Sequence, residues 1–244
     1  MSRFEPTLVS IAYSPWSRRA KLALQRQGTR FRLRNYKPFV DEPWLRWRLR
    51  RPWGGVTVPV LFTAGGPICD SLAIAYWGSD RANLPLAPAR LRPEIERWNA
   101  LAEDALCAGR LRATTLVVAD TPALQASLPS PLPALGQPGL VVGRAASRAI
   151  LRKYARSDSM ADWDRALDRY VETLADALGD RLHLCDEPSY ADIVAASGLA
   201  FVSPEARSPV PEVARAHWTR PDLVAAFPQL FEWRDCILAK RASA

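Results

Sequence analysis

The sequence predicts two domains of different class: an α/β domain over residues 1–80 and an all-α domain over residues 94–244. Three observations predict it. Strand-type and helix-type patterns alternate through the first 80 residues, whereas no strand pattern appears after residue 94. Residues 81–93 hold Pro85, Pro88 and Pro93 with no strong periodicity, and so read as a linker. Charge divides near the same place: residues 1–80 carry 13 Lys and Arg against 5 Asp and Glu, and residues 81–244 carry 20 of each.

Composition sets the outer bounds. A chain of 244 residues, 48% apolar and 24% charged, has ample material for buried cores. No apolar run approaches the roughly 18 residues of a membrane span. Residues 1–13 hold Arg3 and Glu5 and no long apolar stretch, so no signal peptide is read there. Cys69, Cys107, Cys185 and Cys236 are scattered and form no CxxC, which predicts reduced core thiols and a cytoplasmic protein.

The α/β domain is organised around Ser14-Pro15-Trp16-Ser17-Arg18. Residues 8–12 are a short aliphatic run of buried-strand character. After the turn, Ala20, Ala23, Leu24 and Gln27 recur at helical spacing, and Gly28 stands where a helix ends. Ser14 suits the cap and Pro15 the first helical position; the same helix start also favours an anion. Residues 30–34 alternate basic and apolar, so Phe31 and Leu33 are expected to face inward, on a strand with one solvated side or at a sheet edge. Residues 41–53 open on an acid and an early proline, predicting a short helix with a basic face; its Trp44, Leu45 and Trp47 either line a ligand or, as is usual at that spacing, pack inward. Residues 56–62 read as a strand except for Pro59, which fits either an edge strand or a cis peptide facing a ligand. Residues 63–67 are expected to form a hairpin loop of about four or five residues. Asp70-Ser71 then opens another helix.

In the second domain, residues 94–118 are helical, with Ile95, Trp98, Leu101, Ala102, Ala105 and Leu106 on one stripe. Five prolines within residues 120–140 exclude a long helix there and predict an ordered excursion or a mobile loop. Helical patterns return over 141–156 and 160–178, the second stopped by Gly179. Ser189 to Asp192 forms an S-x-x-D capping box on a wholly apolar helix, which marks that helix as central. A last helix runs over 228–239.

The Ser-Pro-Trp-Ser-Arg turn, the Val58-Pro59 step, Ile68-Cys69-Asp70-Ser71 and the Ser189-to-Asp192 box, in this order, resemble the cytosolic glutathione S-transferase superfamily over nearly the whole chain. The resemblance implies a thioredoxin-like first domain and an all-helical second one, with glutathione as co-substrate and no metal. It implies that Ser14 activates the glutathione thiol, where glutaredoxin-like members have a cysteine. Val58, preceding the cis-proline Pro59, matches the residue whose backbone pairs with the cysteinyl part. Asp70-Ser71 matches the acid–Ser pair for the γ-glutamyl end, with Asp where many members have Glu. For the glycyl end, Lys37, Arg50 or Arg51 stands in for the family's Lys or Gln.

The expected function is a serine-type transferase in which Ser14 stabilises a thiolate for attack on a small hydrophobic electrophile. Residues near 98–106 would line the electrophile's cleft, and the chain would form a homodimer. Physical chemistry agrees: a thiol with a reference pKa of about 8.5 is mostly protonated at neutral pH, and a donated hydrogen bond at a helix start favours its anion. The rivals are a non-catalytic glutathione-fold binding or regulatory protein, and a nucleic-acid binder using the arginine-rich residues 30–51, which carry no recognised motif. His183 and His217, the only histidines, have no zinc spacing. There is no G-x-S-x-G elbow, and neither Gly-Gly pair matches a phosphate loop.

Overall fold

The computed structural model describes residues 5–38, 40–154 and 158–239. The expected helix end at residue 156 and Arg3 lie outside them. Contacts divide the chain into two units. One is Met1–Asn99 with His183–Ser197 and Leu238–Ala244; the other is Ala100–Leu182 with Gly198–Ile237.

The first unit contains β1 (Thr7–Ser10), α1 (Pro15–Arg26), β2 (Arg32–Asn35), α2 (Glu42–Leu49), β3 (Val60–Thr63), β4 (Gly66–Ile68) and α3 (Ser71–Ser79). Its four-stranded sheet has the order β2-β1-β3-β4. β2 runs parallel to β1, and β3 antiparallel to both β1 and β4. Strand alternation sorts the core onto two faces. Leu8 and Leu61 pack with Ala20 and Leu24 of α1 and Ile74 of α3. Val9, Val60 and Phe62 turn the other way, onto Leu45 of α2.

Helix ends follow local chemistry. Gly28 adopts φ +67° after α1, and the N–H groups of Gly28 and Thr29 return to the carbonyls of Gln25 and Leu24, a Schellman closure that needs a left-handed residue. α8 (Tyr190–Gly198) belongs to this unit too: the Tyr190 N–H bonds the Leu86 carbonyl at 2.7 Å.

Several sequence expectations are corrected here. β2 is an edge strand, as one alternative had it, but Leu33 is 44% exposed, because the cluster under α1 and α3 reaches only Phe31. Trp47 is 72% exposed, since α2 buries Leu45 and a residue two positions on points to the opposite side of a helix. Trp44 is half-buried, edge-on to Phe62 with Arg34 over its ring. The hairpin loop is two residues, Ala64-Gly65, because Thr63 already pairs with Gly66. Pro59 does not lie on an edge strand: it precedes β3, an interior strand, and its bond to Val58 is cis. Cys236 is exposed and the other three cysteines are half-buried, so none is a core thiol.

α4 (Arg92–Ala119) runs from the first unit into the second. Trp98, Ala102, Ala105 and Leu106 are fully buried and Leu101 half-buried. The buried four are core residues, in keeping with the stripe that their spacing predicts. In the second unit the proline-rich excursion is ordered, with α5 (Thr121–Ser127) and a 3-10 turn over Leu132–Leu135 inside it. α6 (Gln137–Tyr154) starts four residues before its pattern does, with Pro138 in its first turn. α7 (Met160–Leu178), α9 (Glu212–Arg215), α10 (Pro221–Ala226) and α11 (Pro228–Leu238) complete the described helices. Arg220 ties this unit together: its guanidinium bonds Asp164, Asp168 and Asp222 at 3.1, 2.8 and 2.6 Å. These carboxylates hold the Arg220 pKa above its ordinary value.

Candidate functional site

Strand registers bring the candidate residues to one end of the sheet. Val9 pairs with Val60, so one step further Ser10 comes opposite Pro59. Leu61 pairs with Ile68, so two steps further Pro59 comes opposite Asp70. Ser10 pairs with Asn35, and its carbonyl accepts the Tyr36 N–H at 2.8 Å, which sets Tyr36 and Lys37 at the same end. The turn from β1 into α1, the cis Val58-Pro59 step, the start of α3 and the exit of β2 therefore converge there.

At the first of these, Ser14 caps α1: its Oγ accepts the Ser17 N–H at 3.3 Å, and Pro15 fills the first helical position. A hydroxyl that accepts one bond still has its own proton to donate. Ser14 is half-buried, whereas Ser17 is 2% exposed and its Oγ accepts the Ile11 N–H at 3.1 Å. The two serines thus divide the work: Ser17 closes the turn, and Ser14 stands at its outer side.

At the second helix start, Asp70 caps α3. Its Oδ1 accepts the N–H groups of Leu72 and Ala73 at 2.8 and 2.9 Å, and the residue is exposed. Both bonds fall on one oxygen, which leaves Oδ2 for a cation. Ser71, beside it, is 1% exposed, and its Oγ accepts a 2.9 Å bond from Arg19 Nε. Its carbonyl accepts the Tyr190 hydroxyl at 3.1 Å.

Arg19 and Tyr190 are the residues that sequence reasoning missed. Arg19 sits on α1 five residues past Ser14 and is fully buried. Its one local signal was an arginine on the apolar face of an amphipathic helix, an uncommon position unless the charge is engaged. Tyr190 had none, because its partner lies 119 residues away.

The basic candidates are less closely held. Lys37 is exposed, with its backbone N–H on Asp41 Oδ2 at 2.7 Å. Arg50 ends α2 at φ 53° and is exposed. Arg51 acts on Cys69, the residue before Asp70: burial pushes that thiol up, and the Arg51 charge opposes the shift. Tyr36 is pushed to about 12, by burial first and then by Glu42 and Asp41, so its phenol stays protonated at neutral pH. Among the described residues no group of three or more His, Cys, Asp and Glu is arranged to hold a metal ion, and no helix is long and apolar enough to cross a membrane.

A thioredoxin-like α/β unit at the head of a helical chain, with these helix starts at one sheet end, is a glutathione S-transferase architecture. Residues 13–81 match the family model "Glutathione S-transferase, N-terminal domain". No curated protein matches the sequence. Solved structures of this fold match along nearly the whole length. Glutathione transferase GSTFuA3 from Phanerochaete chrysosporium is 18% identical with a TM-score of 0.60, covering 100% of both chains. A glutathione S-transferase from Methylobacterium radiotolerans, in complex with glutathione sulfonate, is 20% identical with a TM-score of 0.55, over 97% of this chain and 92% of that one. Another, from Methylobacillus flagellatus with GSH bound, is 16% identical with a TM-score of 0.55, over 98% and 96%. At these identities the likeness is one of fold. Residues 13–81 thus resemble a glutathione S-transferase N-terminal domain, and the chain as a whole has the glutathione S-transferase fold.

Proposed function

We propose that the chain is a glutathione-dependent transferase of the serine type. The observation that carries this reading is the convergence of Ser14, the cis Val58-Pro59 step and Asp70 at one sheet end. Glutathione lies across that end. Its γ-glutamyl ammonium meets Asp70 Oδ2, and its α-carboxylate meets the start of α3, where the buried Arg19 guanidinium behind Ser71 adds positive charge. The Val58 backbone pairs with the cysteinyl residue, as strands pair. Lys37, Arg50 and Arg51 form the basic side that receives the glycyl carboxylate.

The Ser14 hydroxyl donates to the sulfur. With the α1 N-terminus, that bond favours the thiolate; a pKa lower by one to two units corresponds to about 1.4–2.7 kcal/mol. The thiol proton leaves to water. The thiolate then attacks an electrophilic carbon of a small hydrophobic substrate: the C–S bond forms, and the leaving group departs with its electron pair. Residues 1–80 act as the glutathione domain and 94–244 as the helical domain, in a cytoplasmic homodimer.

The test has two stages. Retention on immobilised glutathione, eluted by free glutathione, is the expected first result. Turnover of an aromatic halide in the presence of glutathione is the second. Retention without turnover against a panel of electrophiles would leave a binding protein in place of an enzyme, and absence of retention would remove the site.

A further inference from the structure

None of the residues assigned to the glutathione site lies in one long stretch of the chain. Between Asp120 and Asp158 the sequence contains no Asp or Glu, while Arg144, Arg148, Arg152, Lys153 and Arg156 are all basic. Most of it is the α5–α6 excursion. α6 is held by its inner face: Leu140 is buried in a cluster with Val117, Ala123, Leu124, Val210 and Ala214. Side chains at Gly139 and Gly143 would run into the Leu132 carbonyl and the Leu128 side chain. Both glycines therefore let the helix seat closely, which fixes its opposite face outward.

That outward face is unusual in composition. Val141 is 63% exposed and Val142 50%, and Leu135, in the turn before the helix, is 53% exposed. Ala145 and Ala149 continue the stripe at helical spacing and are exposed. Arg148 and Arg152 border it on one side, seven and eleven residues after Val141, and Lys153 borders it on the other, eleven after Val142; all three are exposed. An apolar strip flanked by cations, with no anion nearby in sequence, matches a surface that is itself apolar beneath a layer of negative charge. Nucleic acid fits less well, since the stripe offers no aromatic ring for stacking and a single amide, Gln137 at its first turn, for base edges. A second copy of the same face would set like charges against one another.

We infer that the outward face of α6 is a docking surface for anionic lipid bilayers. Val141, Val142 and Leu135 enter the headgroup layer, and Arg148, Arg152 and Lys153 meet lipid phosphates. The inference stands independently of the glutathione site, because none of these residues belongs to it.

Co-sedimentation of the full chain with vesicles tests it. Wild type should pellet with phosphatidylcholine vesicles containing phosphatidylglycerol, be released as salt rises, and stay in solution with phosphatidylcholine alone. V141E/V142E and R148E/R152E should each weaken vesicle binding about tenfold or more, while melting temperature and oligomeric state stay at the wild-type values. Wild type left in solution with the anionic vesicles overturns the inference, as does full binding by both variants. So does conversion of a dimer into a monomer by V141E/V142E, which would make the face a subunit contact. Salt-sensitive retention on single-stranded DNA, lost in R148E/R152E and unaffected in V141E/V142E, overturns it in favour of nucleic acid.

Discussion

Asp70 and Asp192 perform the same local task in different surroundings. Each accepts two backbone N–H groups near a helix start: Asp70 from Leu72 and Ala73 at α3, Asp192 from Ser189 and Leu184 at α8. Asp192 is 1% exposed, uses both oxygens, and has His183 Nδ1 at 3.3 Å. Asp70 is exposed and uses one oxygen. Burial pushes the Asp192 pKa up, against the pull of its N–H donors and His183. The difference separates two meanings of a helix cap. Where both oxygens are consumed inside, the acid holds the fold; where one remains outside at the sheet end, it is available to a ligand.

The largest expected effect follows from the buried acid. Asp192→Ala leaves two backbone donors buried without acceptors, each costing about 1–3 kcal/mol, so the loss of stability should be about 3 kcal/mol or more. This exceeds what half a capping box alone would cost, because Leu184 shares the carboxylate. Scanning calorimetry should show the fall, with the glutathione affinity of the folded protein unchanged. A wild-type melting temperature combined with lost binding would break the contrast.

Asp70 should give the opposite signature. Asp70→Ala removes the partner of the ligand's ammonium, and a charge-assisted bond is worth about 1.5–3 kcal/mol, or roughly ten- to a hundredfold in affinity. Lost capping adds about 1 kcal/mol of destabilisation. Asp70→Asn sharpens the point, since it keeps an oxygen for the cap and loses the charge. Calorimetric titration should find glutathione weakened in both variants, with stability lowered mainly in the first. Full affinity in Asp70→Asn would take the carboxylate out of the site.

How far the sequence was readable follows the same division. Helix starts were legible because a cap is local: Ser14-Pro15, Asp70-Ser71 and Ser189 to Asp192 each place donor and acceptor within three residues. The order of strands and helices was legible for a similar reason. Exposure was not. Leu33 and Trp47 sit in patterns that predict an inner face, but whether a helix covers that face depends on elements far along the chain. The bond from Arg19 to Ser71 was not legible either, because that pairing is set by how α1 crosses α3. The proline-rich residues 120–140 hid α5, because Pro122 lies within the first turn, where proline is tolerated, and so resembled a breaker.

Ser14 and Ser17 repeat the contrast within one turn. Ser14→Ala should lower turnover by lifting the pKa of the bound thiol, with glutathione affinity changed much less. A rise of one to two units matches about 1.4–2.7 kcal/mol, and the pH–rate profile should move up by the same amount. Ser17→Ala should leave that profile in place and lower stability, because the half-buried Ile11 N–H loses its acceptor. Ser14→Cys should gain thiol–disulfide exchange and trap glutathione as a mixed disulfide, visible by mass spectrometry without reductant. If Ser17→Ala is inactive and Ser14→Ala fully active, the assignment moves three residues along the chain.

The smallest effect belongs to a third cap, at the surface of the second unit. Asp162 closes the start of α7, accepting the Ser159 N–H at 2.8 Å and the Ser159 hydroxyl at 2.7 Å, and it is also bonded by Arg165. The bonds from Ser159, then that from Arg165, hold its carboxyl down at about 2. A carboxyl lowered in the folded state stabilises fully above its unfolded pKa of about 4 and loses that contribution as pH falls through the folded value. Asp162→Asn should therefore melt below wild type by a constant margin from neutral pH down to about pH 5, and the margin should shrink between about pH 4 and pH 2. Added salt should narrow it only in part, since it screens the exposed Arg165 charge more than the bonds to Ser159. Glutathione affinity should not change at any pH. An Asp162→Asn margin that stays constant down to pH 2 would mean that the charge contributes nothing at this cap, leaving the shape of the side chain as its whole effect. In that case Asp70→Asn would be the only cap variant in which charge matters, and its role would be to meet a ligand.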